Sequence, residues 1–534
     1  MAEQEARDTV TLTVDGVAVT VPKGSPVIEA AERAGVVVPR YCYHPGIPTA
    51  PAQCRMCLVE IEGQPKLQPS CVLQAQDGMS ILTASETAEK ARQAVIEFLL
   101  VNHPLDCPIC DAAGQCMLQD YAYETRQLYS RVNEAKAVMG RDRVAEDILY
   151  FPDRCIICTR CVRFMRDVAD DDALIVAHRG HKSYIDTFPG RELDNEFRGN
   201  IVDVCPVGAL VHEDFVFKAR AWDMDSAIGV CPGCSTGCNV TVDTKENQIV
   251  RLKPRHNAEV NSYWMCDYGR KHLVMANRGV RAEVPLVRTD ERLQPTDWTS
   301  ALDRVAARIE AVRGSGGVAV VSPDSSNENL FFLGELAAYL GISRIEFRVP
   351  TGRTAALPGV PTLQLRADRA ANGVGAELLG GTRVDAPPSV SPGEVLIVLD
   401  DALEDAPAEL GVEAGFFLYI GSRLPLAARG ADAVLPIAWF AEMDGTFTNF
   451  EGRVQRFHQA LQPPGIARPA WMVISRLLQR LGAGGPGVSD IESAFAAAAA
   501  GSAALAGLSW ESLGHKGRIA PGMESVESAG ANAG

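Results

Sequence analysis

The sequence predicts a multidomain chain, α+β through its first half and α/β through its second. Three observations predict it. The 534 residues exceed what one hydrophobic core serves, so several domains are expected. All 15 cysteines lie at or before Cys266, in short-stepped groups set among short strands and helices. Beyond Cys266, apolar strands alternate with helical stretches, the pattern of parallel βαβ layers.

Composition narrows the function. Apolar residues make up 47%, ordinary for a soluble globular protein. A formal charge of −16 argues against nucleic acid or an anionic membrane surface as main partner. The opening MAEQEARDTV is polar and acidic, unlike a secretory signal. No strongly apolar run reaches spanning length; SAFAAAAAGSAALAGL (493–508) comes nearest but is mostly Ala, Gly and Ser. A cytoplasmic chain with no membrane span is expected.

Residues 1–80 read as a β-grasp unit. TLTVDGVAVTV alternates apolar and polar residues around Asp15-Gly16, a hairpin signal. VIEAAERAG is a short amphipathic helix and CLVEIEG another strand. Over 81–145 a helical segment follows, with TASE (83–86) in capping-box form and Val95, Ile96, Leu99 and Leu100 as an apolar stripe. Pro104 stops the helix near His103. Residues 146–222 form a ferredoxin-like unit, and 223–280 a small strand-rich module. Over 281–482, VAVVSPDSSNENLFFLGELAAYLG reads as strand, loop and helix; VLIVLDDALEDAP and FFLYIGSRLP read as buried strands. No G-x-G-x-x-G follows a strand, and no Walker A motif occurs. From 483 to 534 the chain is rich in Ala, Gly and Ser, and a partly ordered, low-complexity tail is expected.

The cysteines fall into four groups: Cys42, Cys54, Cys57 and Cys71; Cys107, Cys110 and Cys116; Cys155, Cys158, Cys161 and Cys205; and Cys231, Cys234, Cys238 and Cys266. Four sites of four ligands need one more residue than fifteen cysteines supply. The short group is the second, and His103, four residues before Cys107, is the candidate. Imidazole can replace thiolate on an iron–sulfur cluster and raises its potential. A lone histidine is ordinarily a helix cap or a satisfied polar contact; three neighbouring cysteines lacking a partner reverse that reading.

Zinc is the rival metal, since tetrahedral sites also use Cys-x2-Cys pairs. The third group argues against it. RCIICTRC and a distant Cys205-Pro206 match the bacterial ferredoxin pattern for a 4Fe–4S cluster. A second cluster there would need ligands at Asn195, Arg198, Ile201 and Met165, none of which can hold iron. The first group, Cys-x11-Cys-x2-Cys-x13-Cys, differs from the plant-type spacing, but its β-grasp flanks suit a 2Fe–2S cluster. The fourth, Cys-x2-Cys-x3-Cys-x27-Cys, has Gly233 and Gly237 to let the backbone curl round a ligand; zinc stays a rival there.

These motifs, in this order, resemble the large iron–sulfur subunit of NADH-quinone oxidoreductase (respiratory complex I), over about residues 1–470. DGTFTNFEGRVQRF (444–457) resembles a segment of the molybdopterin-oxidoreductase-like domain found in that family. The resemblance implies a 2Fe–2S cluster on Cys42, Cys54, Cys57 and Cys71. It implies 4Fe–4S clusters on His103, Cys107, Cys110 and Cys116; on Cys155, Cys158, Cys161 and Cys205; and on Cys231, Cys234, Cys238 and Cys266, the last an extra cluster off the main electron path. It places FMN and NAD on a neighbouring flavin subunit, so this chain would bind neither. Partners would be that subunit and other iron–sulfur subunits of the peripheral arm, at the cytoplasmic side of the inner membrane. The C-terminal domain is shorter than in relatives, so no molybdopterin is expected. The chain would relay electrons one at a time toward quinone, the whole complex coupling this to proton translocation, and would itself hold no catalytic residue. An iron–sulfur subunit of an NAD-linked formate dehydrogenase or of a hydrogenase is the alternative. A zinc-stabilised scaffold is a third.

Overall fold

The computed structural model describes residues 8–523, except 127–128, 276–279, 291, 402, 405, 407–408 and 484–486. The described residues divide into two compact units at Met224/Asp225, with Leu357–Pro361 grouped with the first. Among them, no helix is long and apolar enough to cross a membrane.

The first unit opens with the hairpin Thr9–Val14 and Val17–Pro22, paired antiparallel from Thr9↔Pro22 to Val14↔Val17. Asp15 and Gly16 both take positive φ, 46° and 85°, as a two-residue type I′ turn requires. Helix Val27–Arg33 buries Val27, Ile28, Ala30 and Ala31 against the sheet that Leu58–Ile61 and Ser80–Leu82 complete. This is the expected β-grasp arrangement.

Two expectations for the next helix need correction. It starts at Glu86, and its N-cap is Ser85, whose hydroxyl accepts from the Ala88 amide. Thr83 is no cap; its amide donates to Asp15 at 2.7 Å. The helix ends at Leu100, three residues before His103. Of the apolar stripe only Ile96 is fully buried; Val95, Leu99 and Leu100 are half-buried and Phe98 is exposed. Instead of filling a core, Val95, Phe98 and Leu99 line a groove with Tyr41 and Cys54.

The ferredoxin-like part pairs Ile148–Tyr150 with Asp142–Ala145 and with Leu210–His212. Its two short helices, Arg160–Arg163 and Asn200–Val204, pack together. The positions a second cluster would need have been given over to packing. Met165 and Ile201 are fully buried, and Arg198 pairs with Asp147 at 2.9 Å.

The second unit begins with an antiparallel meander, Asp225–Val230, Asn239–Lys245 and Gln248–Pro254. An eight-stranded sheet follows. Gly317–Val321 lies between Val395–Leu399 and Arg344–Phe347, parallel to both. Phe416–Gly421 and Ala433–Pro436 extend the sheet beyond Val395–Leu399, again in parallel. Every residue of the strands Gly317–Val321 and Val395–Leu399 is buried, as covering on both faces requires. Helices Trp298–Val312, Asn327–Leu340 and Ala470–Arg480 supply one cover.

The tail departs from the loose order expected of its composition. Helix Ile491–Gly501 packs on Asn327–Leu340, and Arg518–Ile519 adds a third strand to Gly445–Thr448 and Arg453–Phe457. Phe495, Ala498, Leu505, Trp510 and Leu513 form a separate buried cluster. Alanine favours helix when one face finds a partner, so low complexity did not mean disorder. Residues 525–534, also expected to be loose, and part of GAGGPG (482–487) lie outside the described residues.

Candidate metal centres

All 15 cysteines are free thiols. In the first group, Cys42 and Cys54 sulfurs lie 3.4 Å apart, and Cys71 reaches both Cys42 and Cys57. The loop is bent for this: Ala52 and Arg55 carry positive φ, 53° and 59°. Contact with Cys54 and Cys71 drives Cys42 well below the ordinary thiol range, while contact with Cys42 pushes Cys54 above it.

In the third group, Cys155, Cys158, Cys161 and Cys205 all line one small cavity. Ile157 and Thr159, both β-branched, are held at φ 49° and 60°, a costly conformation that turns the loop round the cavity. The Ile157 amide points at Cys155 sulfur, 3.4 Å away. Burial pushes Cys155 up to about 11 and Cys158 up to about 12. Thiols so raised hold their protons, and a bound metal would take the protons' place. Tyr150, which the sequence did not single out, also lines the cavity and hydrogen-bonds Cys155.

The fourth group is equally buried: Cys231, Cys234, Cys238 and Cys266 lie within one another's electrostatic reach. Backbone amides of Gly233 and Gly269 approach Cys231 and Cys266 sulfurs at 3.4 and 3.5 Å. A Cβ on Gly269 would lie 2.7 Å from Cys231 sulfur, so that residue makes room for the sulfurs.

The second group is the most open. Cys110 and Cys116 are buried and Cys107 is exposed; burial lifts Cys116 to about 11, with Cys110 and Cys107 among its charge neighbours. His103 is half-buried, and burial with Lys136 and Arg154 nearby lowers it to about 4. Its imidazole is therefore neutral near pH 7, the form that binds metal. It shares Arg154 with Cys110 as a charge neighbour. No thiol stands within hydrogen-bonding distance of it among the contacts described.

Among the described residues, no three His, Cys, Asp or Glu converge closely enough to hold a single metal ion. A lone tetrahedral zinc would draw four sulfurs to within about 3.8 Å of one another, from Zn–S bonds of about 2.3 Å.

The three groups of the first unit interlock. Arg154, just before Cys155, binds Asp106, just before Cys107, at 2.8 Å. The Met117 amide, next to Cys116, donates to the Pro206 carbonyl, next to Cys205, at 3.0 Å. A Cβ on Gly208 would sit 2.2 Å from Cys110 sulfur. On the other side, Gln53 donates to the Ile157 carbonyl at 2.6 Å, and Arg163 donates to the Cys42 carbonyl. The third group thus adjoins both others. Tyr41 and Tyr121 meet edge-on, centroids 5.4 Å apart, where the first group's loop approaches the helix after Cys116.

Comparison with known proteins reproduces this order of parts. Residues 7–86 match a family described as a 2Fe-2S iron-sulfur cluster binding domain, and 92–131 the NADH-ubiquinone oxidoreductase-G iron-sulfur binding region. Residues 147–211 match the ferredoxin-like domain of NADH-quinone oxidoreductase subunit 3. Residues 226–278 match the molybdopterin oxidoreductase Fe4S4 domain, and 415–480 molybdopterin oxidoreductase. Each cysteine group falls inside one of the first four matches. The mitochondrial NADH-ubiquinone oxidoreductase 78 kDa subunit of Neurospora crassa is 38% identical over 66% of this chain and 47% of its own. Over these matched parts the chain is similar to the large iron–sulfur subunits of NADH-quinone oxidoreductase.

Two further relatives carry the corresponding name. The corresponding NADH-quinone oxidoreductase subunit of Streptomyces coelicolor is 41% identical over 58% of this chain and 37% of its own. That of Rickettsia conorii is 36% identical over 64% of this chain and 51% of its own. The chain spans about half, or less, of the length of these relatives. A chain of an NAD+-reducing [NiFe]-hydrogenase, solved in the H2-reduced state, shares 32% identity over 39% of this chain and 90% of its own, with TM-score 0.36.

Proposed function

We propose that this chain is the electron-relaying iron–sulfur subunit of an NADH-quinone oxidoreductase. One 2Fe–2S cluster would be held by Cys42, Cys54, Cys57 and Cys71. Three 4Fe–4S clusters would be held by His103, Cys107, Cys110 and Cys116; by Cys155, Cys158, Cys161 and Cys205; and by Cys231, Cys234, Cys238 and Cys266. When bound, such clusters take up and release one electron each. The observation that carries the reading is the interlocking of three cysteine groups in the first unit, with the third group adjoining both the first and the second.

The chain's own residues do the rest. Buried loops shield most of the sulfurs from water, Cys107 excepted. The amides of Ile157, Gly233 and Gly269 point at sulfur and favour its thiolate form. Tyr150 donates to Cys155. Arg154 and Asp106 hold two cysteine loops in register. The partners in this reading are a flavin- and NADH-binding subunit and other iron–sulfur subunits; the relatives are named as subunits of NADH-quinone oxidoreductase.

The doubly wound sheet gives little support to a nucleotide or pterin. Its switch point lies between Gly317–Val321 and Val395–Leu399, where such sheets take phosphates. Asp324 and Asp400 follow those two strands, buried and within reach of each other's charge. Two buried carboxyls there offer no positive charge to a pyrophosphate.

The test is His103→Cys in anaerobically purified protein. Exchange of imidazole for thiolate lowers the midpoint potential of one 4Fe–4S signal and leaves the other signals in place. An unchanged electron paramagnetic resonance spectrum and potential would remove His103 from the ligand set.

A further inference from the structure

Arg160 and Arg163 lie on one short helix that starts between Cys158 and Cys161, and both side chains are buried, 6% and 4% exposed. Arg160 donates to the Tyr43 carbonyl at 2.6 Å, beside Cys42, and to the Val204 carbonyl at 3.2 Å, beside Cys205. It also approaches Met117 sulfur, beside Cys116, at 3.9 Å. One guanidinium therefore touches backbone or side chain next to a cysteine of each of three groups. Arg163 donates to the carbonyls of Cys42 and Thr49, and to Thr159 hydroxyl at 3.3 Å.

Neither cation has a carboxylate at ion-pair distance among the described residues. Asp167, the carboxylate nearest in charge to Arg163, is itself paired with Arg166 at 2.6 Å. A buried cation without a counter-charge is costly, and removing its partner is strongly destabilising. The strongest attractive neighbours of Arg160 are Cys158, Cys205 and Cys42; those of Arg163 are Cys42 and Cys158. Both sets span the first and third groups. Cysteine sulfurs, ahead of any carboxylate, are thus the groups that face these arginines.

We propose that Arg160 and Arg163 are positioning residues that serve as shared counter-cations for the groups bound at Cys42, Cys54, Cys57 and Cys71 and at Cys155, Cys158, Cys161 and Cys205. The inference rests on the iron–sulfur reading given above. A fixed positive charge in a water-poor interior favours the more negative, reduced state of whatever lies beside it, so it raises the midpoint potential. Because the same two charges face both groups, they raise both potentials together. They also make the two sites mutually dependent, since each cation needs both anions to be fully compensated.

The experiment is an electron paramagnetic resonance redox titration of the full chain, purified anaerobically. Arg160→Gln and Arg163→Gln lower the midpoints of the 2Fe–2S signal and of one 4Fe–4S signal in the same variant. Arg160→Lys and Arg163→Lys, which keep the charge, leave both near their original values. Gln53→Ala cuts a neutral bond between the same two loops and leaves both unchanged. A shift confined to one signal, no shift, an upward shift, or an equal shift in Gln53→Ala overturns the proposal. If the Gln variants load neither cluster while the Lys variants load both, the charge requirement stands; if the Lys variants fail equally, it does not. Absence of both cluster signals from the unaltered chain would instead overturn the iron–sulfur reading itself.

Discussion

Gly208 and Gly269 show how closely backbone is pressed against sulfur at single residues. Added Cβ atoms would come within 2.2 Å of Cys110 sulfur and 2.7 Å of Cys231 sulfur. Gly208→Ala must displace the Cys110 loop, an overpacking strain of about 1–3 kcal/mol. The expected outcome is loss of the His103-group signal with the 2Fe–2S signal retained. Full retention of all signals would show that the loop has room. At Asp324, burial and the nearby Asp400 raise the carboxyl to about 7, from an ordinary 3.8. The folded state therefore holds the proton more tightly than the unfolded chain does. Its contribution is full below about pH 4 and declines as pH rises toward 7. Asp324→Asn removes that decline, so its urea midpoint gains on the unaltered chain between pH 4 and 7. Parallel curves would refute it. Tyr150 and the left-handed Ile157 and Thr159 could not be found in the sequence, because no local pattern marks a side chain that turns toward a distant cysteine or a backbone bent against its own preference.

At the scale of elements, local pattern was a good guide where a turn or a short period governs. Asp15-Gly16 makes the hairpin turn that its residue types dictate. The helix Glu86–Leu100 also forms, but its apolar stripe borders a groove instead of a core, and its cap is Ser85. Periodicity reports that a face is apolar; it does not report what covers it. The tail is the converse case. Its alanines gave no sign of partners, yet Phe495 is fully buried on helix Ile491–Gly501. Phe495→Ala should cost about 3–5 kcal/mol, read as a lower urea midpoint. A change near zero would mean that the tail only rests on the domain.

For the whole molecule, one 2Fe and three 4Fe groups predict about 14 irons per chain. Iron analysis of anaerobically prepared protein tests this directly. A value near 10 would point to an empty 4Fe site, and zinc in place of iron would return the scaffold reading. Cys231→Ser then separates the units: it should cost about 4 irons and leave the three signals of the first unit untouched. Loss of those signals would show that the fourth group supports the others.

By itself the sequence showed which cysteines stand close along the chain, and it raised His103 as the expected sixteenth donor. A ligand loop of two to five residues has few ways to fold, so spacing carries most of its geometry. Which groups adjoin was decided only by the tertiary structure. Arg163 and Cys42 meet across 121 residues, and Gln53 and Ile157 across 104. Contacts of that separation depend on how whole elements pack, so the third group came to lie beside both the first and the second although the chain writes it last of the three.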